Sequence, residues 1–166
     1  CSYYHTIIAT DQDDVFSFGR NDFGQLGIGT QEEMLTPERV PFFRDKGSIL
    51  SMACGQYHTL VSVAGGGAFA FGKNDYGQLG LGDTNHRNKP IKHPSLSNII
   101  DISKGGDHSF VKTSNNEIYA FGHNQYSQLG IKTEHTNQIT PIRVFEDNED
   151  IWFSNINKSK AKSARF

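Results

Sequence analysis

Three histidines are spaced almost evenly along the 166 residues: His5, His58 and His108, 53 and 50 positions apart. Imidazole is a common zinc ligand, but a zinc ion needs its ligands within about 2.1 Å. Equivalent residues of successive repeats are held apart instead. The recurrence therefore predicts a structural task for His5, His58 and His108, each ring bonding loop backbone inside its own unit, and no metal. Gly19 and Gly24, like Gly72 and Gly77, have the spacing that opens a phosphate-binding loop. Gln25-Leu26 and Gln78-Leu79 follow where that loop requires Lys and Ser or Thr, and no helix follows to aim a dipole at phosphate. Cys1 and Cys54 occupy matching positions, with Lys104 at the third. That exchange suits a small buried side chain, not a nucleophile or ligand. No serine, histidine and acid form a recognisable catalytic motif. These residues predict no enzyme, no metal and no cofactor.

The elements that carry them form a repeat. "FSFGRNDFGQLGIG", "FAFGKNDYGQLGLG" and "YAFGHNQYSQLGIK" recur at steps of 53 and 50, with Gly19, Gly72, Gly122 and Leu26, Leu79, Leu129 in phase. Pro37, Pro90 and Pro141 keep nearly the same step. A period near 50 signals a solenoid or a propeller. In each unit a turn cluster leads to a short strand ("VFSFG", "AFAFG", "IYAFG"), then a glycine-rich loop that buries the leucine. A variable polar stretch ends at proline and a strand ("ERVPF", "IKHPS", "IRVFE"). Strands "ILSMACG" or "IIDISKGG" and "QYHTLVSV" or "DHSFVKT" follow. Four short strands per unit, repeated radially, make a β-propeller blade. A helical repeat is excluded by the two-residue alternation of apolar positions and by the frequent glycines.

"ACGQYHTLVS", "FAFGKNDYGQLGLGD" and the strand after proline resemble the regulator of chromosome condensation repeat. The resemblance runs from residue 1 to about 146 and implies blades of a seven-bladed propeller. The fold class expected is all-β: about three blades of four antiparallel strands in an unclosed propeller, spanning 1–150. Three wedges cannot close a ring, so the two end blades are expected to expose apolar faces to further blades, from the same or another chain. Residues 151–166 are expected to start a further strand or form a basic tail, with Lys158, Lys160, Lys162 and Arg165 beside Ser159 and Ser163. The start at Cys1 in place of Met reads as part of a longer chain.

Composition agrees. Net charge is -2, hydrophobic residues make up 36%, and 17 glycines suit short strands and tight turns. Such a balance provides no field for nucleic acid or membrane. No apolar run reaches bilayer length, no secretory leader is visible, and two cysteines form no disulfide framework. An intracellular site, cytoplasmic or nuclear, is the expectation.

The expected function is a non-catalytic protein–protein interaction module in a larger regulatory or scaffold protein. The resemblance implies propellers appended to ubiquitin ligases, adaptors, kinases or cytoskeletal proteins. It also implies an alternative, guanine-nucleotide exchange on a small GTPase, and a third, chromatin association. No insertion in the three units is long enough to act as the family's exchange wedge. Its basic N-terminal tail for chromatin has no counterpart in these residues. Partner contacts are expected on the non-repeating loops at 30–36, 83–89 and 132–140. There Glu32, Glu33, Asp83, His86, Arg87, Lys89, Glu134 and His135 present mixed charge, which suits a protein better than DNA.

Overall fold

The structure, a computed structural model, describes residues 1–131 and 135–144; Glu134 and the 151–166 segment lie outside the described residues. Eleven strands form three antiparallel sheets among them. The first sheet is β1 (His5–Ala9), β2 (Val15–Gly19) and β3 (Met34–Arg39). The second is β4 (Ile49–Cys54), β5 (His58–Val63), β6 (Gly67–Gly72) and β7 (Arg87–Lys92). The third is β8 (Ile99–Lys104), β9 (His108–Thr113), β10 (Ile118–His123) and β11 (Asn137–Arg143). Each sheet is a meander in chain order, and the first strands β4 and β8 lie side by side. These are the expected blades, two with four strands and one with three.

The outer strands begin earlier than expected. β3 starts at Met34, β7 at Arg87 and β11 at Asn137, so Arg87 and Lys89 lie on a strand and not in a loop. Proline explains the difference, because it cannot donate to a ladder and so suggests a strand boundary. On an edge strand its missing N–H faces outward and costs no bond, so Pro37, Pro90 and Pro141 sit inside the strands.

The core lies between sheets. One cluster joins Val15 and Phe43 to Val61, Phe69 and Phe71, and the other joins Leu60, Leu79 and Leu96 to Ile99, Val111 and Phe121. Burial follows from position in the stack. All six residues of β5, "HTLVSV", are buried, because the second blade is covered on both faces. In β9, "HSFVKT", burial alternates, because only one face is covered. Leu26, Leu79 and Leu129 are fully buried as expected, and so are Phe71 and Phe121. Phe18, at the same repeat position, is less completely buried. The Phe71 ring lies over Gly27 of the preceding blade, and Phe121 over Gly80. Phe18 has no preceding blade in this sequence to lie on. Leu35, 87% exposed on β3, marks the same uncovered face.

A glycine bulge sets the ring's direction. At Gly72 (φ +103°) a Cβ would stand 2.5 Å from the Tyr57 carbonyl oxygen, and the register of β6 against β7 shifts between Ala70 and Gly72. Only glycine fits there, and the bulge re-aims the chain from strand to loop. Gly19 and Gly122 repeat the arrangement.

Candidate docking face

The loops that leave β2, β6 and β10 fold onto one rim of the blades. Each is organised by a buried asparagine and a glutamine. The Asn21, Asn74 and Asn124 side-chain oxygens accept from the N–H of Leu26, Leu79 and Leu129 at 2.9–3.0 Å. Gln25, Gln78 and Gln128 accept from the N–H two residues earlier. The Asn21 amide also donates to the Glu32 carbonyl at 2.9 Å, and the Asn74 amide to that of Asp83 at 2.8 Å. The invariant motif thus holds the start of the variable stretch in place.

His5 bonds inside its own unit as expected, its Nδ1 meeting the Ser2 hydroxyl at 3.0 Å, but His5 and His58 also join the blades, which the expectation did not include. The Thr59 hydroxyl donates to the Gln25 carbonyl at 2.8 Å, so its oxygen accepts from His5 Nε2, also at 2.8 Å. Ser109 does the same between Gln78 and His58, at 2.9 Å each. His5 and His58 reach the next blade, because the hydroxyl beside the next histidine is already committed to the loop of the first. His108 has no such hydroxyl among the described residues and packs edge-on to Phe110. Burial, then the Lys104 ammonium, pull His5 down to about 4. Burial, again followed by Lys104, holds His58 well below its usual range. Neutral rings suit these clasps. No group of three metal-ligating side chains occurs among the described residues. Adding EDTA is expected to leave the thermal midpoint unchanged; a fall of several degrees would restore a metal role.

On the same rim, positions just after each "FG" and just before each junction histidine form a continuous belt. Tyr4 and Tyr57 stack at 4.8 Å and 8°. The Arg20 guanidinium lies 5.5 Å from both rings and pairs with Asp22. Lys73 sits among Phe23, Tyr57 and Tyr76 at 5.1–5.7 Å. Its ammonium is 3.7 Å from both Asp75 and Asp107, so it touches side chains from all three blades. His123 continues the line against Tyr76 at 4.6 Å, and Tyr126 ends it, 79% exposed.

Of the expected contact residues, His86 joins this belt. Its ring meets Phe23 edge-on at 5.1 Å, and its Nδ1 accepts from the Asn74 N–H. Arg87 pairs with Asp83 at 2.6 Å. Partial burial opposes the Asp83 charge, but the Asn85 N–H and Arg87 outweigh it and hold the carboxyl below its usual range. Glu32 and Glu33 stand exposed beside the first loop, and His135 is exposed at the third. The Lys89 stem crosses Gly29 of the preceding blade. Cys54 is buried as expected, whereas Cys1 is exposed at the chain's first residue, outside any strand. Reasoning from the variable loops missed Arg20, Phe23, Tyr57, Lys73 and Tyr76. Their signal was available: an Arg or Lys after "FG" and an aromatic three residues later, recurring with the repeat.

Four-stranded antiparallel blades stacked face to face, with loops gathered on one rim, define a β-propeller. The chain belongs to the family described as "Regulator of chromosome condensation (RCC1) repeat": its model matches residues 12–62 and 65–111, and a second model of the same repeat matches 49–78 and 99–128. The human X-linked retinitis pigmentosa GTPase regulator is 41% identical over 88 residues, 53% of this chain and 8% of that protein. The human WBSCR16 crystal structure superposes with a TM-score of 0.78 at 28% identity, covering 89% of this chain and 39% of the other. Prp20p from Saccharomyces cerevisiae, a protein with binding properties to Gsp1p and histones, superposes at 0.78 and 21% identity, covering 88% and 37%. The chain thus spans well under half of each. Among the described residues, no helix is long and apolar enough to cross a membrane.

Proposed function

We propose that the chain is a non-catalytic docking module that binds a protein partner inside the cell through the belt rim. The belt itself carries this reading: tyrosines, a phenylalanine, Arg20 and Lys73 in one line across three blades. Tyr and Arg dominate interface hot spots, because a rigid ring or planar fork loses little entropy on contact. Pairs of mixed sign along the rim, such as Arg20–Asp22 and Arg87–Asp83, favour a protein over a polyanion. The variable loops then supply specificity around a recurrent centre.

Nucleotide exchange on a small GTPase is the second reading. It is favoured by the relative named a GTPase regulator and by the binding of Prp20p to Gsp1p. The binding of Prp20p to histones keeps chromatin association as a third. A nucleotide-release assay over a panel of small GTPases, with nucleosome binding at fixed salt beside it, separates the three.

For the docking reading, a partner captured with the intact chain is titrated against Tyr57→Ala and Arg20→Ala, and against charge reversals at Glu32 and Arg87. Each belt change is expected to weaken binding at least tenfold while the fold persists. Ile91→Ser, on the outer edge of β7, is expected to leave binding unchanged. Loss of binding on changing Ile91 with the belt variants unaffected would place recognition elsewhere.

A further inference from the structure

At the opposite rim, one cation recurs near the end of each outer strand, and an acid recurs at the turn beside it. Arg39 pairs with Asp14 in the first blade, and Arg143 with Glu117 at 3.5 Å in the third. In the second blade these repeat positions hold Lys92 and Gly67. Lys92 forms no ion pair among the described residues. A second acid is missing at the same place. The Asp13 carboxylate accepts from the Ile49 N–H at 2.9 Å, whereas Gly66, at the position of Asp13, has no side chain to offer Ile99.

The space left by these acids is a groove of about 510 Å³ between the second and third blades. Gly66, Lys92, Ser97 and Ser114 line it together with Leu50 and Ile100. Leu50 and Ile100 are 49% and 46% exposed, because each is the extra residue of a bulge in β4 or β8. The connection that closes the first junction, residues 40–48, contains Phe42 packed on Phe43 and Phe69. Its counterpart, 93–98, is three residues shorter and has Ser95 at that position.

We propose that this groove docks an acidic segment of a partner protein, one with Asp or Glu beside an aliphatic residue. The partner's carboxylate takes the place that Asp14 and Glu117 fill in the neighbouring blades, bonding Lys92 and the Ser97 and Ser114 hydroxyls. The aliphatic neighbour covers Leu50 and Ile100. A charge-assisted bond made beside apolar surface is stronger than the same pair in open water. The groove lies at the other ends of the strands from the belt, so the two surfaces succeed or fail separately.

The test uses a fluorescein-tagged Leu-Asp-Asp-Leu peptide, its Leu-Asn-Asn-Leu counterpart and inorganic phosphate, with methyl resonances of Leu50 and Ile100 as a second readout. The acidic peptide is expected to bind at least tenfold tighter than the neutral one and to shift both methyl signals. Lys92→Gln is expected to lose at least tenfold in affinity. Gly66→Asp should lose as much, because it sets a fixed carboxylate in the groove's lining, at the position of Asp13, against the carboxylates of the peptide. A Cβ at Gly66 meets nothing closer than 3.4 Å, so that variant keeps its fold, checked by circular dichroism. Equal binding of both peptides, unmoved methyl signals or indifference to Lys92→Gln overturns the proposal. Phosphate competing as strongly as the peptide overturns it too, and makes the groove a small-anion site.

Discussion

Between pH 6.5 and 4 the chain is expected to lose most of its stability. His5 and His93 are both drawn from the ordinary value of 6.5 to about 4, chiefly by burial. His58 lies well below its ordinary range for the same first reason, and His108 is lowered too. An unfolded imidazole binds its proton near pH 6.5, whereas these folded rings resist it until about 4. The unfolded state therefore holds more protons in that window, and stability falls as pH falls through it. At about 1.4 kcal/mol per unit, His5 and His93 each contribute about 3 kcal/mol that is present above pH 6.5 and gone by pH 4. Two such losses are of the order of a whole domain's stability. His58 adds to the effect. Its Nδ1 is buried with no partner, so an added proton there would have nothing to bond. Urea unfolding at pH 7, 5.5 and 4.5 measures this. A midpoint that does not move between pH 7 and 4.5 would refute the neutral-clasp account.

Phe71→Ala and Phe121→Ala are expected to destabilise the chain by about 3–5 kcal/mol each, and Phe18→Ala by much less. The three residues share one repeat position and one chemistry. They differ in what covers them. The rings of Phe71 and Phe121 are fully buried against the glycine turn of the blade before, while Phe18 is only partly buried. Gly27→Ala probes the other side of the contact. At φ +71° its Cβ would stand 2.7 Å from the Phe71 ring, so a loss comparable to removing the ring is expected. Equal losses at all three phenylalanines would show that repeat phase, and not blade-to-blade coverage, sets the energy.

Much of the architecture was legible because a propeller writes its core in phase. "AFAFG" and "IYAFG" alternate as strands must, and Leu79 and Leu129 recur where the loop turns inward. Direction was not legible. Nothing in the spacing of His5 and His58 says whether a ring bonds its own loop or the next blade, since Thr59 and Ser109 look like ordinary strand residues. The belt was hidden for a related reason. Arg20, Lys73 and His123 differ in type, so they read as scatter until the stack lines them up. The loops looked longer than they are, because Pro37 and Pro90 resemble strand beginnings although an edge strand tolerates them inside.

The histidine clasp also sets a timetable for synthesis. His5 can close only on Thr59, 54 residues further along, and His58 only on Ser109, 51 residues further. At roughly 5–20 residues per second, each blade leaves the ribosome several seconds before its fastening hydroxyl exists. Assembly must therefore run one blade behind elongation, with the most recently made sheet always waiting, its histidine unlatched, for the next.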